Sequence, residues 1–217
     1  MEHEVKDRKS RPEKIELKGV PIVISAPSGA GKTTVCKLLS KNFKNIEYSV
    51  SATTRPPRKN ESTGISYIFL TRAEFSEWIK KGHFLEWAKV HNHYYGTPKR
   101  KFEETLKKGS NIIMDIDVQG ALKIKNKYPS GIYIFILTKN AKILKKRLAQ
   151  RKTDSEQSMK KRINNARWEL RFVNEYNYIV INDTIKKTVA IITNILIAET
   201  CVTIRNSQVI KKFKKNL

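Results

Sequence analysis

Apolar residues in this chain gather into four short runs, Val20–Ser25, Ile112–Asp117, Ile132–Leu137 and Tyr178–Ile181. They are rich in isoleucine and valine and lack polar alternation, which predicts parallel strands covered by helices on both faces. Segments of helical periodicity follow the first three: Thr33–Asn42, Val118–Lys127 and Ala141–Gln150. A longer helix is predicted where Met159, Ile163, Ala166, Leu170 and Val173 fall on one face, and a last one from about Lys186 to Cys201. Strands alternating with helices imply right-handed crossovers and a three-layer α/β core around a parallel sheet.

Residues 51–98 break this rhythm. They hold Arg55-Pro56-Pro57-Arg58, a turn at Gly64, apolar alternation at Tyr67 and Phe69, a helical stretch near Thr71–Lys80, and an extended stretch Phe84–Ala88. Short strands with turn residues between them predict a small mixed α/β insertion set on the main sheet.

Directly after the first predicted strand comes Ala26-Pro27-Ser28-Gly29-Ala30-Gly31-Lys32-Thr33, which has P-loop spacing with alanine for the first glycine. Small residues let the backbone wrap a phosphate, and N–H groups at the following helix N-terminus point at the anion. Ser28, Gly29, Ala30, Gly31, Lys32, Thr33 and Thr34 are therefore the candidate ATP-binding set. Lys32 would reach the β/γ-phosphates and Thr33 would ligate Mg²⁺. The strand Ile112-Ile113-Met114-Asp115 ends in a carboxylate, as a strand that reaches Mg²⁺ beside the phosphates must, so Asp115 joins Thr33 as a metal candidate, partly through water.

Composition changes this picture only modestly. The 217 residues carry 44 Lys+Arg against 20 Asp+Glu, a net charge of +24, with 39% hydrophobic residues, enough for a core. The surplus is uneven: residues 1–18 are nearly neutral, 138–171 carry +9, and 205–217 carry +5. The middle block is read as serving an anionic small-molecule substrate rather than nucleic acid, and the last as a solvated tail. No apolar run reaches spanning length and Met1–Lys18 lacks a signal-peptide core, so a cytoplasmic protein with no membrane partner is expected. Two cysteines, Cys36 and Cys201, fit a reducing compartment, with a pairing left open. His91-Asn92-His93 lacks the long-range spacing of a nuclease site, and no Cys/His cluster has zinc spacing.

Four further strings settle a resemblance. Ser51-Ala52-Thr53-Thr54-Arg55-Pro56-Pro57-Arg58, Phe84-Leu85-Glu86-Trp87-Ala88, Tyr94-Tyr95-Gly96-Thr97 and Asp115-Ile116-Asp117-Val118-Gln119-Gly120 resemble the guanylate kinase family in order and spacing, from about Pro21 to Glu199. The resemblance implies transfer of the γ-phosphoryl of ATP to GMP, with dGMP as a further acceptor. Arg55 and Arg58, guanidinium forks on a proline-stiffened loop, suit a monophosphate, and the family adds the Tyr67 and Tyr95 hydroxyls. For guanine, Glu86 can accept from N1–H and N2–H, Ser51 and Thr97 can donate to O6, and Asp117 is added by the resemblance. Catalysis would fall to Lys32 and to the lid arginines Arg147, Arg151 and Arg162. Asn182 matches a position near the ATP adenine. Two departures, Lys152 for a glycine and Asp154 for a glutamate, lie in the lid.

The expected division is an N-terminal extension (1–18), a P-loop core (19–50, 99–141 and 172–204), a GMP-binding subdomain (51–98), a helical lid (142–171) and a basic tail (205–217). Two other functions compete: a catalytically silent guanylate kinase-like module that binds proteins, and a basic nucleic-acid-binding P-loop protein. The sequence leaves a homo-oligomer open.

Overall fold

A computed structural model describes residues 19–58, 61–90, 92–149 and 156–217. In chain order the core begins with strand β1 (Pro21–Ser25), helix α1 (Lys32–Asn42) and strand β2 (Ile46–Tyr48). The insertion follows: β3 (Ala52–Thr53), β4 (Ile68–Phe69), α2 (Arg72–Lys80), β5 (Phe84–Val90) and β6 (His93–Pro98). The core resumes with α3 (Lys99–Lys107), β7 (Asn111–Asp115), α4 (Val118–Lys127), β8 (Ile132–Thr138), α5 (Ala141–Ala149) and α6 (Glu156–Glu169). A 3-10 turn (Leu170–Glu175) leads to β9 (Tyr178–Asn182) and α7 (Ile185–Thr200). A second such turn (Thr203–Asn206) leads to α8 (Ser207–Lys215).

The main sheet is parallel throughout, in the order β2-β7-β1-β8-β9. Successive side chains of a strand face opposite ways, so continuous apolar runs feed two cores. On one face Ile22, Ile24, Ile134 and Ile136 pack against Val35 and Leu39 of α1 and Ile192 and Leu196 of α7. On the other, Val23, Ile112, Met114 and Tyr133 pack against Phe102 of α3 and Ala121 and Ile124 of α4. This is the three-layer α/β arrangement expected.

The second sheet, β4-β3-β6-β5, pairs β3 with β4 in parallel and its other neighbours antiparallel. Its core is aromatic: Phe75 of α2 stacks on Phe84 at 4.4 Å and on Tyr94 at 5.5 Å between ring centroids. Thr71 caps α2 in a capping box with Glu74. The β5–β6 register shifts between Phe84 and Glu86. Across that bulge three consecutive residues are buried in different places. Phe84 joins the aromatic core, Leu85 joins the main-sheet core, and Glu86 faces a cleft between the sheets.

Several expectations change in detail. β2 and α3 went unpredicted, because β2 is three residues long and α3 is mostly charged. The strand expected to run to Asp117 ends at Asp115; Asp117 instead caps α4, accepting from the Gly120 amide at 2.8 Å. The long apolar-faced helix ends at Glu169, and Leu170, expected on its buried stripe, is exposed. The lysine-rich tail is helical in α8 rather than merely solvated. Both cysteines are free, Cys36 buried and Cys201 exposed.

A Cβ on Gly96 would stand 2.7 Å from the Phe84 ring. Gly96→Ala should therefore destabilise the fold by roughly 1–3 kcal/mol through overpacking, read as a lowered midpoint in urea unfolding.

Candidate active site

The loop between β1 and α1 owes its shape to two glycines with positive φ, Gly29 (87°) and Gly31 (91°). Gly31 is the N-cap of α1 in the left-handed conformation, and a Cβ there would lie 2.7 Å from Asn182 Nδ2. That amide, at the end of β9, donates to the Ala30 carbonyl at 2.6 Å, while its oxygen accepts from Thr188 Oγ1 at 2.9 Å. Ala26, standing where a glycine is usual, is buried and its methyl joins the core under the loop. The substitution is thus accommodated.

Register brings the second element of the site alongside. Ile24 pairs with Asp115 across the β1–β7 ladder, so the β7 carboxylate emerges beside the loop. Asp115 Oδ2 accepts from Thr33 Oγ1 at 2.5 Å and Oδ1 accepts from Tyr48 Oη at 2.7 Å. Burial, reinforced by that carboxylate, holds the Tyr48 hydroxyl protonated far above its ordinary range. Lys32 Nζ donates to the Ile116 carbonyl at 3.1 Å. A hydroxyl and a carboxylate side by side are hard oxygen donors of the kind Mg²⁺ takes alongside phosphates and water. No group of three or more His, Cys, Asp or Glu side chains able to hold a metal occurs among the described residues.

The opposite wall comes from the insertion. Arg55 Nη2 donates to both carboxylate oxygens of Glu61, at 2.8 and 2.9 Å, and the guanidinium lies 5.3 Å over the Tyr67 ring. Tyr67 and Tyr95 meet edge to face at 6.0 Å. Glu61 also accepts from the Arg58 backbone amide at 2.9 Å, so one carboxylate ties both ends of the proline-stiffened loop. Glu86 is 7% exposed and accepts from Thr97 Oγ1 at 2.7 Å. Burial pushes its carboxyl up to about 7, with Asp117 adding to the rise and the Thr97 bond opposing it.

These groups line one cleft of about 300 Å³. It takes in Ser28 through Thr34, Ser51, Arg55, Arg58, Tyr67, Glu86, Tyr95, Asp115, Asp117 and Arg162. Other candidates stand apart from it. Thr97 is behind Glu86 and supports it. Asn182 lies beneath the P-loop with its amide engaged there. Arg147 is on α5, away from the described lining. Arg151, Lys152 and Asp154 lie outside the described residues.

Three contributors went unnoticed in the sequence. Tyr48 orients Asp115, and Glu61 holds Arg55. Glu169 lines the cleft at the end of α6, its carboxyl pushed up to about 7 by burial while Lys32 draws it down. Arg55 and Glu61 six residues apart around a Pro-Pro step were a signal for one of these. For Tyr48 and Glu169 the chain offered none.

A P-loop at the carboxyl ends of a parallel sheet, a hydroxyl–carboxylate pair beside it and a cationic, aromatic wall opposite define a P-loop nucleotide-binding protein with room for a second anionic ligand. The chain belongs to the guanylate kinase family, whose model matches residues 18–199. It is 46% identical over 201 residues to a guanylate kinase of Caldanaerobacter subterraneus subsp. tengcongensis, covering 93% of this chain and 98% of the relative. It is 49% identical over 184 residues to a guanylate kinase of Clostridium acetobutylicum, covering 85% and 88%. The crystal structure of guanylate kinase from Anaplasma phagocytophilum superposes with a TM-score of 0.74 at 34% identity, covering 87% and 90% of the two chains.

Asn182→Ala would leave the Ala30 carbonyl buried without its donor. The ligand-free protein should lose about 1–3 kcal/mol of stability, measured by chemical denaturation without nucleotide. An unchanged midpoint would mean that the amide does not support the loop.

Proposed function

We propose that this protein transfers the γ-phosphoryl of ATP to GMP, and to dGMP, giving ADP and GDP. The observation that carries the reading is Glu86: a buried carboxylate, aimed into the cleft across from the P-loop, that can accept from two adjacent N–H groups. Guanine presents such a pair at N1 and N2, whereas adenine presents an acceptor at N1. A buried acceptor left unpaired by the wrong base disfavours that base strongly.

In this reading the triphosphate of ATP lies along Ser28–Thr34, on backbone N–H groups at the α1 N-terminus. Thr33 and Asp115 would hold Mg²⁺, which when bound would neutralise charge on the β- and γ-phosphates. Arg55, Arg58, Tyr67 and Tyr95 would clamp the GMP phosphate, while Ser51, Glu86 and Asp117 face the base and Thr97 fixes Glu86. A GMP phosphate oxygen, already ionised, attacks the γ-phosphorus in line as its bond to the β,γ-bridging oxygen breaks; no general base is needed. Lys32 and Arg162 hold positive charge on the moving group, with Arg147 and Arg151 brought in by closure of residues 142–171. The subdomain limits given above, an Asn182 contribution to ATP binding and a cytoplasmic setting belong to the same proposal.

Coupled ADP release with ATP and Mg²⁺ tests it: turnover should appear with GMP and stay at background with AMP, CMP and UMP. Folded protein that binds GMP without turning over would sink the kinase in favour of a silent binding module. Lys32→Ala should lower kcat by roughly 10²-fold or more with the circular dichroism spectrum unchanged.

Glu86 gives the pH dependence. Only its ionised form accepts both N–H groups, so KM for GMP should rise as pH falls below about 7, and Glu86→Gln should abolish that slope. The same variant should cost roughly 10–100-fold in kcat/KM for GMP, the worth of hydrogen bonds to a charged group, with little change in KM for ATP. The stability effect has the opposite sense. The unfolded chain gives up this proton near 4.5 and the fold near 7, so the ligand-free fold loses stability as pH rises between those values.

A further inference from the structure

The family match ends at Glu199, and the segment that follows is built rather than frayed. Arg205 donates to Glu199 Oε2 through Nε at 3.1 Å and Nη2 at 2.6 Å, and Tyr178 Oη donates to Oε1 at 2.5 Å. Both ion-pair side chains are largely buried. Asn206 Nδ2 donates to the Thr200 and Val202 carbonyls at 2.8 and 3.0 Å. These bonds set the direction in which α8 leaves the body.

α8 has no buried residue. Val209 and Phe213, one turn apart, are 65% and 66% exposed; Ile210 is 38% exposed and Leu217, just beyond the helix, 92%. At about 100° per residue, Val209, Phe213 and Ile210 share an arc of about 100°. Lys212 and Lys214 border that arc on either side, and Lys211 and Lys215 lie opposite. No acidic residue occurs from Arg205 to Leu217. Nucleic-acid phosphates would pair the lysines and leave the apolar arc in water. A second copy would cover the arc but bring two +5 segments together. An anionic bilayer surface meets both requirements, with acyl chains for Val209 and Phe213 and phosphates for the flanking lysines.

We propose that α8 is an interfacial helix that docks this protein reversibly on anionic phospholipid surfaces. No single helix among the described residues is long and apolar enough to cross a membrane, and lying on a surface needs none. The placement suits a working enzyme. α7 starts beside the P-loop and runs back along the sheet. Its end is tied to Tyr178 at the amino end of β9, so α8 projects from the edge opposite the cleft. Docking there leaves the cleft open to solvent.

The test is co-sedimentation of the full chain with phosphatidylcholine vesicles, with and without phosphatidylglycerol. Binding is expected only with the anionic lipid and should weaken as salt rises. Lys212→Gln with Lys214→Gln should reduce partitioning about five-fold per charge, and Val209→Ser with Phe213→Ser should reduce it by about ten-fold or more. Both pairs are solvent-exposed and remote from the cleft, so solution turnover should stay at the parent level and report an intact fold. Equal sedimentation with both lipids, or none, overturns the proposal. So does vesicle binding that survives Val209→Ser with Phe213→Ser, since it would then be electrostatic adhesion alone. Polynucleotide binding insensitive to the apolar pair, without vesicle binding, would assign α8 to nucleic acid. A dimer abolished by that pair, again without vesicle binding, would assign it to a second copy.

Discussion

The parallel pairing of β7, β1 and β8 is the constraint on which the rest of the site depends. Parallel strands point their carboxyl ends the same way, so the loops leaving β1 and β7 emerge side by side. Register then does what neither loop can do alone: it sets Asp115 next to Ile24 and so beside Thr33. The third contribution arrives from β9, where Asn182 braces the Ala30 carbonyl from below. A cradle of backbone N–H groups carries no side-chain bulk to hold its own shape. It is held by the sheet, through a glycine that lets the Asn182 amide approach.

The insertion solves a different problem, that of presenting a carboxylate and two arginines to the same small space without collapse. Glu86 is turned inward by the bulge in β5 and restrained by Thr97. Arg55 is held by Glu61 and the faces of Tyr67 and Phe69. Glu86 and Arg55 thus each have a partner before any ligand enters, which spares the fold the cost of an isolated buried charge. In the proposed reading, an incoming phosphate would share Arg55 with Glu61 rather than meet an unformed fork.

The charge of the whole chain gives a poor guide to this cleft. A molecule of +24 lines its site with Glu86, Asp115, Asp117 and Glu169 as well as Lys32, Arg55, Arg58 and Arg162. Positive charge is local and directional there. Much of the surplus lies elsewhere, including the lysines of α8, whose arrangement around an apolar arc is a property of the helix rather than of the count.

The sequence by itself determined the core strands, because continuous Ile and Val runs have no stable place but a sheet covered on both faces. It also determined the P-loop, because glycine spacing, Lys32 and Thr33 are contiguous, and the insertion, because Pro-Pro and Gly64 interrupt the alternation. Only the tertiary structure decided which side chains act together. Tyr48 finds Asp115 across 67 residues and Asn182 finds Ala30 across 152, and no local pattern encodes such meetings. The string around Glu86 shows only a carboxylate between two apolar residues; it is the bulge in β5 that buries it and leaves Trp87 outside. Asp117 caps α4 and Thr97 donates to Glu86, bonds that the two strings carrying them do not reveal. A side chain's chemistry is written in its type; its partners depend on where the chain returns, and that is a property of packing.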